Sequence, residues 1–286
     1  MAENRGPDIN EQLQTVEELN AELATLRARV KYKTSFSIFI IALMVMITTT
    51  LAWFTVSGLA GTDGLDMNCT TGSDLRIATS NLGNDLNAYE KRVTADMINA
   101  QLTANNYKTL PDIKLEPLST QNSNDSVGTR LFLQNGTERT TEGPGAGEYL
   151  LMDLWLISGN NVDVYLTDKE SEDGANDGTK ITSAAGNTSA QAEVIRTARV
   201  SFAPEGESPR IYEIEQRGYA ANQTNAFWSI SENTDANKIC SLEANTPKKV
   251  TVRVWIEGED PLCVDSVQQA GFSVQLNFQG DKVAAN

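Results

Sequence analysis

The 286-residue chain contains no histidine. That removes the usual general base, the commonest zinc ligand and the Ser-His and Cys-His nucleophile arrangements together. Cysteine is scarce as well: Cys69, Cys240 and Cys263 are the whole set, and no two have the C-x-x-C spacing of a zinc or redox motif. Paired carboxylates could still serve a glycosidase, but no acidic pair stands in a recognisable setting. The expectation is a protein that is not an enzyme and carries no cofactor or metal. Positive charge is also short: 23 Lys and Arg against 38 Asp and Glu leave a formal charge of -15. Such a surface repels nucleic acid and anionic membrane faces, and it keeps the chain soluble.

Charged residues are missing altogether from Ser35 to Thr62. Within that span Phe36-Ser37-Ile38-Phe39-Ile40-Ile41-Ala42-Leu43-Met44-Val45-Met46-Ile47 is almost wholly apolar. Continued through Ala60, a helix would cross the ~30 Å hydrocarbon layer. Arg27, Arg29, Lys31 and Lys33 precede it, and by the positive-inside rule they stay in the cytoplasm. Everything after Thr62 is then expected outside. Small residues at Thr50-Leu51-Ala52 and Gly58-Leu59-Ala60 would suit a signal peptidase, whereas the long lead argues for a retained anchor. Both outcomes stay open: a membrane protein with an extracellular C-terminal domain, or one released to the cell surface after cleavage.

In the lead, Val16, Leu19, Leu23, Leu26 and Val30 recur at alternating steps of three and four, with Glu17, Glu18, Glu22, Arg27 and Arg29 on the other faces. This is the a/d pattern of a short coiled coil or of a solitary amphipathic helix. The expected organisation is a cytoplasmic lead over 1–34, a transmembrane anchor or signal over 35–60, and an extracellular domain over 61–286.

In that outer domain Asp74-Leu75-Arg76-Ile77-Ala78 reads as a short first strand, and 84–105 as a helix with Leu86, Tyr89, Val93, Met97 and Leu102 on one face. The period then changes to two. Val162/Val164/Leu166, Val250/Val252/Val254/Ile256 and Phe272/Val274/Leu276/Phe278 alternate with polar neighbours. Further strands are expected at 131–134, 149–158 and 194–202, the second covered on both faces. Polar, glycine-rich loops separate them. The pattern predicts an all-β antiparallel jelly-roll-like sandwich with a helical insertion.

Two local features bear on chemistry. The loop Asp168-Lys169-Glu170-Ser171-Glu172-Asp173-Gly174 spaces oxygen ligands as calcium loops do, but Asp173 stands where the sharp-turn glycine belongs, so a solvated hairpin tip is expected. Among the cysteines, Cys240 and Cys263 flank the strand at 250–257, and a bridge between them would tie a long connection to the sheet. Cys69 would then be free, or would pair with a second subunit.

Thr48-Thr49-Thr50-Leu51-Ala52-Trp53-Phe54-Thr55, followed by Gly61-Thr62-Asp63-Gly64-Leu65-Asp66, resembles the start of the TasA/camelysin family of bacterial surface proteins. The tail Val252-Arg253-Val254-Trp255-Ile256-Glu257-Gly258-Glu259-Asp260-Pro261-Leu262-Cys263 is similar to the closing strand and turn of clostridial members. The resemblance implies a jelly-roll subunit of an extracellular fibre or biofilm matrix. In it, the segment bearing Trp53, Phe54, Val56, Leu59, Leu65 and Met67 would complete the sheet of the next subunit. Expected partners are further copies of the chain and a fibre-anchoring or signal-processing protein. The family's metalloprotease label does not carry over, because no His-Glu-x-x-His exists here, and the long lead is a second departure. Trp53 and Phe54 can equally be interfacial aromatics at the membrane surface. The competing function is a tethered domain that binds carbohydrate or protein through an aromatic surface of Tyr212, Tyr219, Phe227 and Trp228.

Overall fold

A computed structural model of the chain describes residues 65–70, 74–120, 128–139, 148–169, 178–216, 225–267 and 269–283, together with Leu23. The chain separates into two units, Met1–Ala52 and Trp53–Asn286, and every element below belongs to the second. The expected lead and membrane segment fall outside the described residues, except for Leu23, which is helical. Among the described residues no helix is long and apolar enough to cross a membrane.

The domain is mostly β. Its strands, in chain order, are β1 (Leu65–Thr70), β2 (Arg76–Ala78), β3 (Arg92–Val93), β4 (Pro117–Leu118), β5 (Leu131–Phe132), β6 (Glu138–Arg139), β7 (Leu150–Ile157), β8 (Val162–Leu166), β9 (Lys180–Ser183), β10 (Ala198–Pro204), β11 (Arg210–Tyr212), β12 (Ala226–Phe227), β13 (Lys238–Leu242), β14 (Lys248–Glu257) and β15 (Phe272–Lys282). Among the described residues they form two mixed sheets and a small β5-β6 hairpin. The first sheet runs β13-β8-β15-β1-β3, with β9 also on β15; the second runs β12-β11-β10-β14-β7-β2, with β4 also on β14. Period-two alternation does what the sequence predicts: Val250, Val252 and Val254 of β14, Val200 and Phe202 of β10, and Val274, Leu276 and Phe278 of β15 are all buried in one core. Phe202 meets Phe278 edge to face across the layers, ring centroids 5.9 Å apart. This packing is compatible with a β-sandwich.

Four sequence expectations are corrected. The sheets are mixed and not wholly antiparallel, because β1, β4 and β12 run parallel to β15, β14 and β11. The first strand is Leu65–Thr70, ahead of the one expected at 74–78, which becomes β2. The expected helix over 84–105 is only α1 (Ala95–Ala104), and its first half is a 3-10 turn followed by β3. Lys91 O accepts from Cys69 N–H at 2.9 Å, and Glu90 exchanges backbone bonds with Ile77. These cross-strand partners on both sheets outcompete the weak nucleation of a helix. The expected strand 194–202 begins as a helical turn, α2 (Val194–Thr197), and extends only from Ala198.

The segment 90–93 has a structural consequence. It bonds β2 of one sheet and β1 of the other, so it closes the sandwich along that seam. Helix α1 covers the edge of β7 beyond the end of β2, with Ile98 and Leu102 in the main core: Gln101 Nε2 donates to Asp153 O at 2.7 Å and to Thr79 O, while its Oε1 accepts from Asp153 N–H at 3.0 Å.

Between β8 and β9 lies an excursion. Both strands run antiparallel to β15, in sequence along it, so they are one strand interrupted at Asn277. The neck is tied by Thr179 N–H to Thr167 O at 2.8 Å and by Thr167 N–H to Asn277 O at 2.9 Å. Gly178 sits at φ +95°, where an added Cβ would lie 2.2 Å from Asp168 O, so only glycine fits this crossing.

Candidate assembly site

Strand β1 carries the described part of the expected assembly segment. Leu65, Met67 and Cys69 point inward and are buried in the main core. The strand is parallel to β15 in the register Leu65↔Val274 to Thr70↔Gln279, and antiparallel to β3 through Met67↔Val93 and Asn68↔Arg92. It therefore fills an interior slot of the first sheet in its own chain. Trp53, Phe54, Val56 and Leu59 lie outside the described residues.

The cysteines depart from expectation. Cys69, Cys240 and Cys263 are all buried and all unbridged, so the Cys240–Cys263 disulfide is not formed. Charged neighbours of Cys240 are Glu207, Lys248, Asp163 and Lys238; those of Cys263 are Asp260 and Glu257. Cys240 lies on β13, where the adjacent Ser241 reaches Lys248 at the start of β14 through Glu207, whereas Cys263 follows the far end of β14, so the two thiols lie toward opposite ends of that strand. Burial pushes both thiols up to about 12, so neither is a nucleophile near neutral pH. Cys69 is pushed up further by the same desolvation, and its place in the core makes it no exposed intermolecular thiol while β1 is docked.

The Trp-x-Glu-Gly-x-Asp stretch resolves into a buried polar cluster at the far end of β14. Arg199 Nε pairs with Glu213 Oε2 at 2.9 Å, and its Nη2 donates to Asp260 Oδ2 at 3.1 Å. Its Nη1 donates to the carbonyls of Arg196 and Ala198, each at 2.9 Å. Glu257 accepts from Trp255 Nε1 at 3.3 Å and from Glu259 N–H at 3.2 Å. Burial raises the Glu257 carboxyl to about 7, against the pull of the Ser119 hydroxyl and the Arg199 charge. Gly258 N–H donates to Leu118 O at 2.8 Å, and a Cβ at Gly258 would meet Pro117 at 3.2 Å. The motif fastens β14 to β4, β10 and the end of β11. Arg199 and Glu213 carried no signal in the sequence, because their partnership spans distant strands.

A cavity of about 180 Å³ opens beside this cluster, between Pro117–Ser119, Leu133–Asn135 and Gly258–Glu259. It is smaller than the ~300 Å³ at which drug-sized ligand pockets begin. The aromatic surface does not assemble as expected. Tyr212 and Phe227 are buried against each other, ring centroids 5.5 Å apart, Tyr219 is outside the described residues, and only Trp228 is exposed, at 41%. Of the candidate calcium loop, Asp168 and Lys169 are described. No cluster of three acidic or cysteine residues suited to a metal occurs among the described residues.

No family model matches the chain, and no curated protein is significantly similar to it.

Proposed function

We propose that the chain is an extracellular structural subunit that assembles into surface fibres or matrix by exchange of its first strand between copies. One observation carries the reading: β1 is the first described strand of its unit, inserted parallel to the last described strand, β15, with Leu65, Met67 and Cys69 in the core. A strand held by one ladder on each side and entered from the chain's beginning can be supplied by a neighbour without threading the rest of the fold. Its alternating apolar side chains fill pockets, and its backbone satisfies N–H and C=O groups on β15 and β3 that would otherwise be open.

The distribution of the strands between the two sheets supports the same reading. The long strands alternate between layers along the chain, with β7, β10 and β14 in one sheet and β8, β13 and β15 in the other. Placement outside the cell is supported by the apolar run 36–60 behind its cationic lead. The alternative, a tethered binding domain for carbohydrate or protein, has the small cavity and Trp228 to recommend it, and both are modest. The reading needs no catalysis, no cofactor and no nucleic acid.

The test is removal of residues 53–70 from the expressed protein. Because Leu65, Met67 and Cys69 belong to the core, the shortened chain is expected to melt lower and to form no polymer. A peptide of residues 61–70 should restore the melting temperature without restoring polymerisation, since it fills the slot but links nothing. Polymers growing from the shortened chain at the full-length rate would rule the reading out.

A further inference from the structure

Strand β1 raises a question that its apolar face cannot answer. A slip of one residue against β15 would turn Leu65, Met67 and Cys69 out of the core, so that error is strongly opposed. A slip of two restores the alternation: Met67 would face Val274 or Phe278 in place of its partner Leu276, all of them apolar. Hydrophobic matching alone leaves three registers close in energy, and a fibre built on exchanged strands needs one.

The opposite side of the strand holds the discriminator. Asn68 and Asn277 are register partners, and in a parallel pair such side chains project from the same face, their strands about 5 Å apart. Both are buried, at 2% and 0% exposure. Asn277 is held from three directions: its N–H donates to Thr179 Oγ1 at 2.9 Å, its Nδ2 donates to Lys169 O at 2.7 Å, and its backbone O accepts from Thr167 N–H at 2.9 Å. Asn277 Oδ1 and Asn68 Nδ2 have no hydrogen-bond partner among the described residues. An acceptor and a donor are thus left over on adjacent, buried, register-matched side chains. Each is the natural complement of the other, within reach of a change of side-chain rotamer.

We propose that the Asn68–Asn277 amide pair fixes the register in which the first strand docks against β15, whichever copy supplies that strand. A two-residue slip would set Asn68 opposite Gln275 or Gln279, longer side chains already anchored through Nε2 to Gly178 O and Asp281 Oδ1, so the amide-to-amide match in length is lost. It would also set Asn277 opposite Thr70 or Asp66, the latter bringing a carboxylate to a buried amide. Each slip replaces two register-matched amides of equal length by partners of different length or charge, and that loss of complementarity selects the register, as a single buried asparagine does at a coiled-coil seam. The role between copies rests on the assembly reading above; the role within one chain does not.

The test uses full-length chains with engineered cysteine pairs, oxidised in the cell envelope and read as cross-linked bands. Asp66→Cys with Gln275→Cys reports the observed register, and Asp66→Cys with Ser273→Cys reports the slipped one. The first pair should bridge at least about tenfold more than the second, the ratio for roughly 1.4 kcal/mol of preference. Adding Asn68→Val and Asn277→Val should bring the two yields to within about twofold, with valine keeping the strand propensity. Asn68→Thr alone, a milder change that removes the amide donor, should move the ratio in the same direction. An undiminished tenfold preference in either background overturns the register proposal. Co-expressed chains carrying Asp66→Cys alone and Gln275→Cys alone should form a covalent dimer. If bridges form only within single chains, strand exchange fails while the register result still stands.

Discussion

Glu257 shows how one buried side chain can set a pH dependence. Its carboxyl rises from an ordinary value of 4.5 to about 7, so the folded state holds this proton more tightly than the unfolded state. The associated stability is complete below about pH 4.5 and is lost as pH climbs through about 7. Glu257→Gln should match the wild type in melting temperature at pH 4 and exceed it at pH 8, by an amount on the order of 3 kcal/mol or less. Equal pH profiles for the two proteins would show that Glu257 titrates normally. Arg199 has the opposite logic, since it neutralises Glu213 and Asp260 inside the protein. Arg199→Met should cost about 3–5 kcal/mol in urea unfolding, because it strands two carboxylates without a counter-charge. The cysteines supply a third residue-scale check: being buried and unbridged, they should react with a thiol reagent only after unfolding, and a reductant should leave the melting temperature unchanged.

At the scale of elements, the interrupted strand β8–β9 is the clearest case of local geometry serving the sheet. The neck closes because Gly178 takes a left-handed φ and passes against Asp168 O. Gly178→Ala would force a Cβ into that backbone contact, and destabilisation of at least about 1–3 kcal/mol is expected by denaturant titration. Shortening the loop beyond the neck should matter far less, since loop closure changes slowly with length. Helix α1 and β3 illustrate a different balance. The apolar spacing of Leu86, Tyr89, Val93, Met97 and Leu102 reads as one helix, yet Tyr89 packs with Ala78 and Ile157 outside the main core, while Val93 lies in the main core itself. Residues that serve two separate clusters cannot share one helical face.

For the whole molecule, the decisive element is β1. It sits between β15 and β3 and shares the seam that segment 90–93 closes, so both sheets depend on it. On the assembly proposal, a domain built this way is expected to be stable as a closed monomer and to polymerise only when the first strand is given up to a neighbour. Polymer growth should therefore be slow to start, and faster under mild destabilisation that frees β1. Time courses of light scattering across low urea concentrations would check this, and a growth rate falling steadily with urea would contradict it.

Much of this fold is written in the period of the chain. Alternation at 162–166, 250–256 and 272–278 determines three long strands and which of their faces are buried, because a pleated strand must present alternate side chains to the same side. Absence determines as much: without histidine the hydrolytic arrangements that depend on it cannot be built. What the sequence could not decide are relations between distant strands. The parallel docking of β1 on β15, the Arg199–Glu213–Asp260 cluster and the facing of Asn68 and Asn277 bring together residues separated by much of the chain. The separation of Cys240 from Cys263 follows the same rule in reverse: neighbours in sequence terms, they are held at opposite ends of a strand too stiff and extended to let them meet.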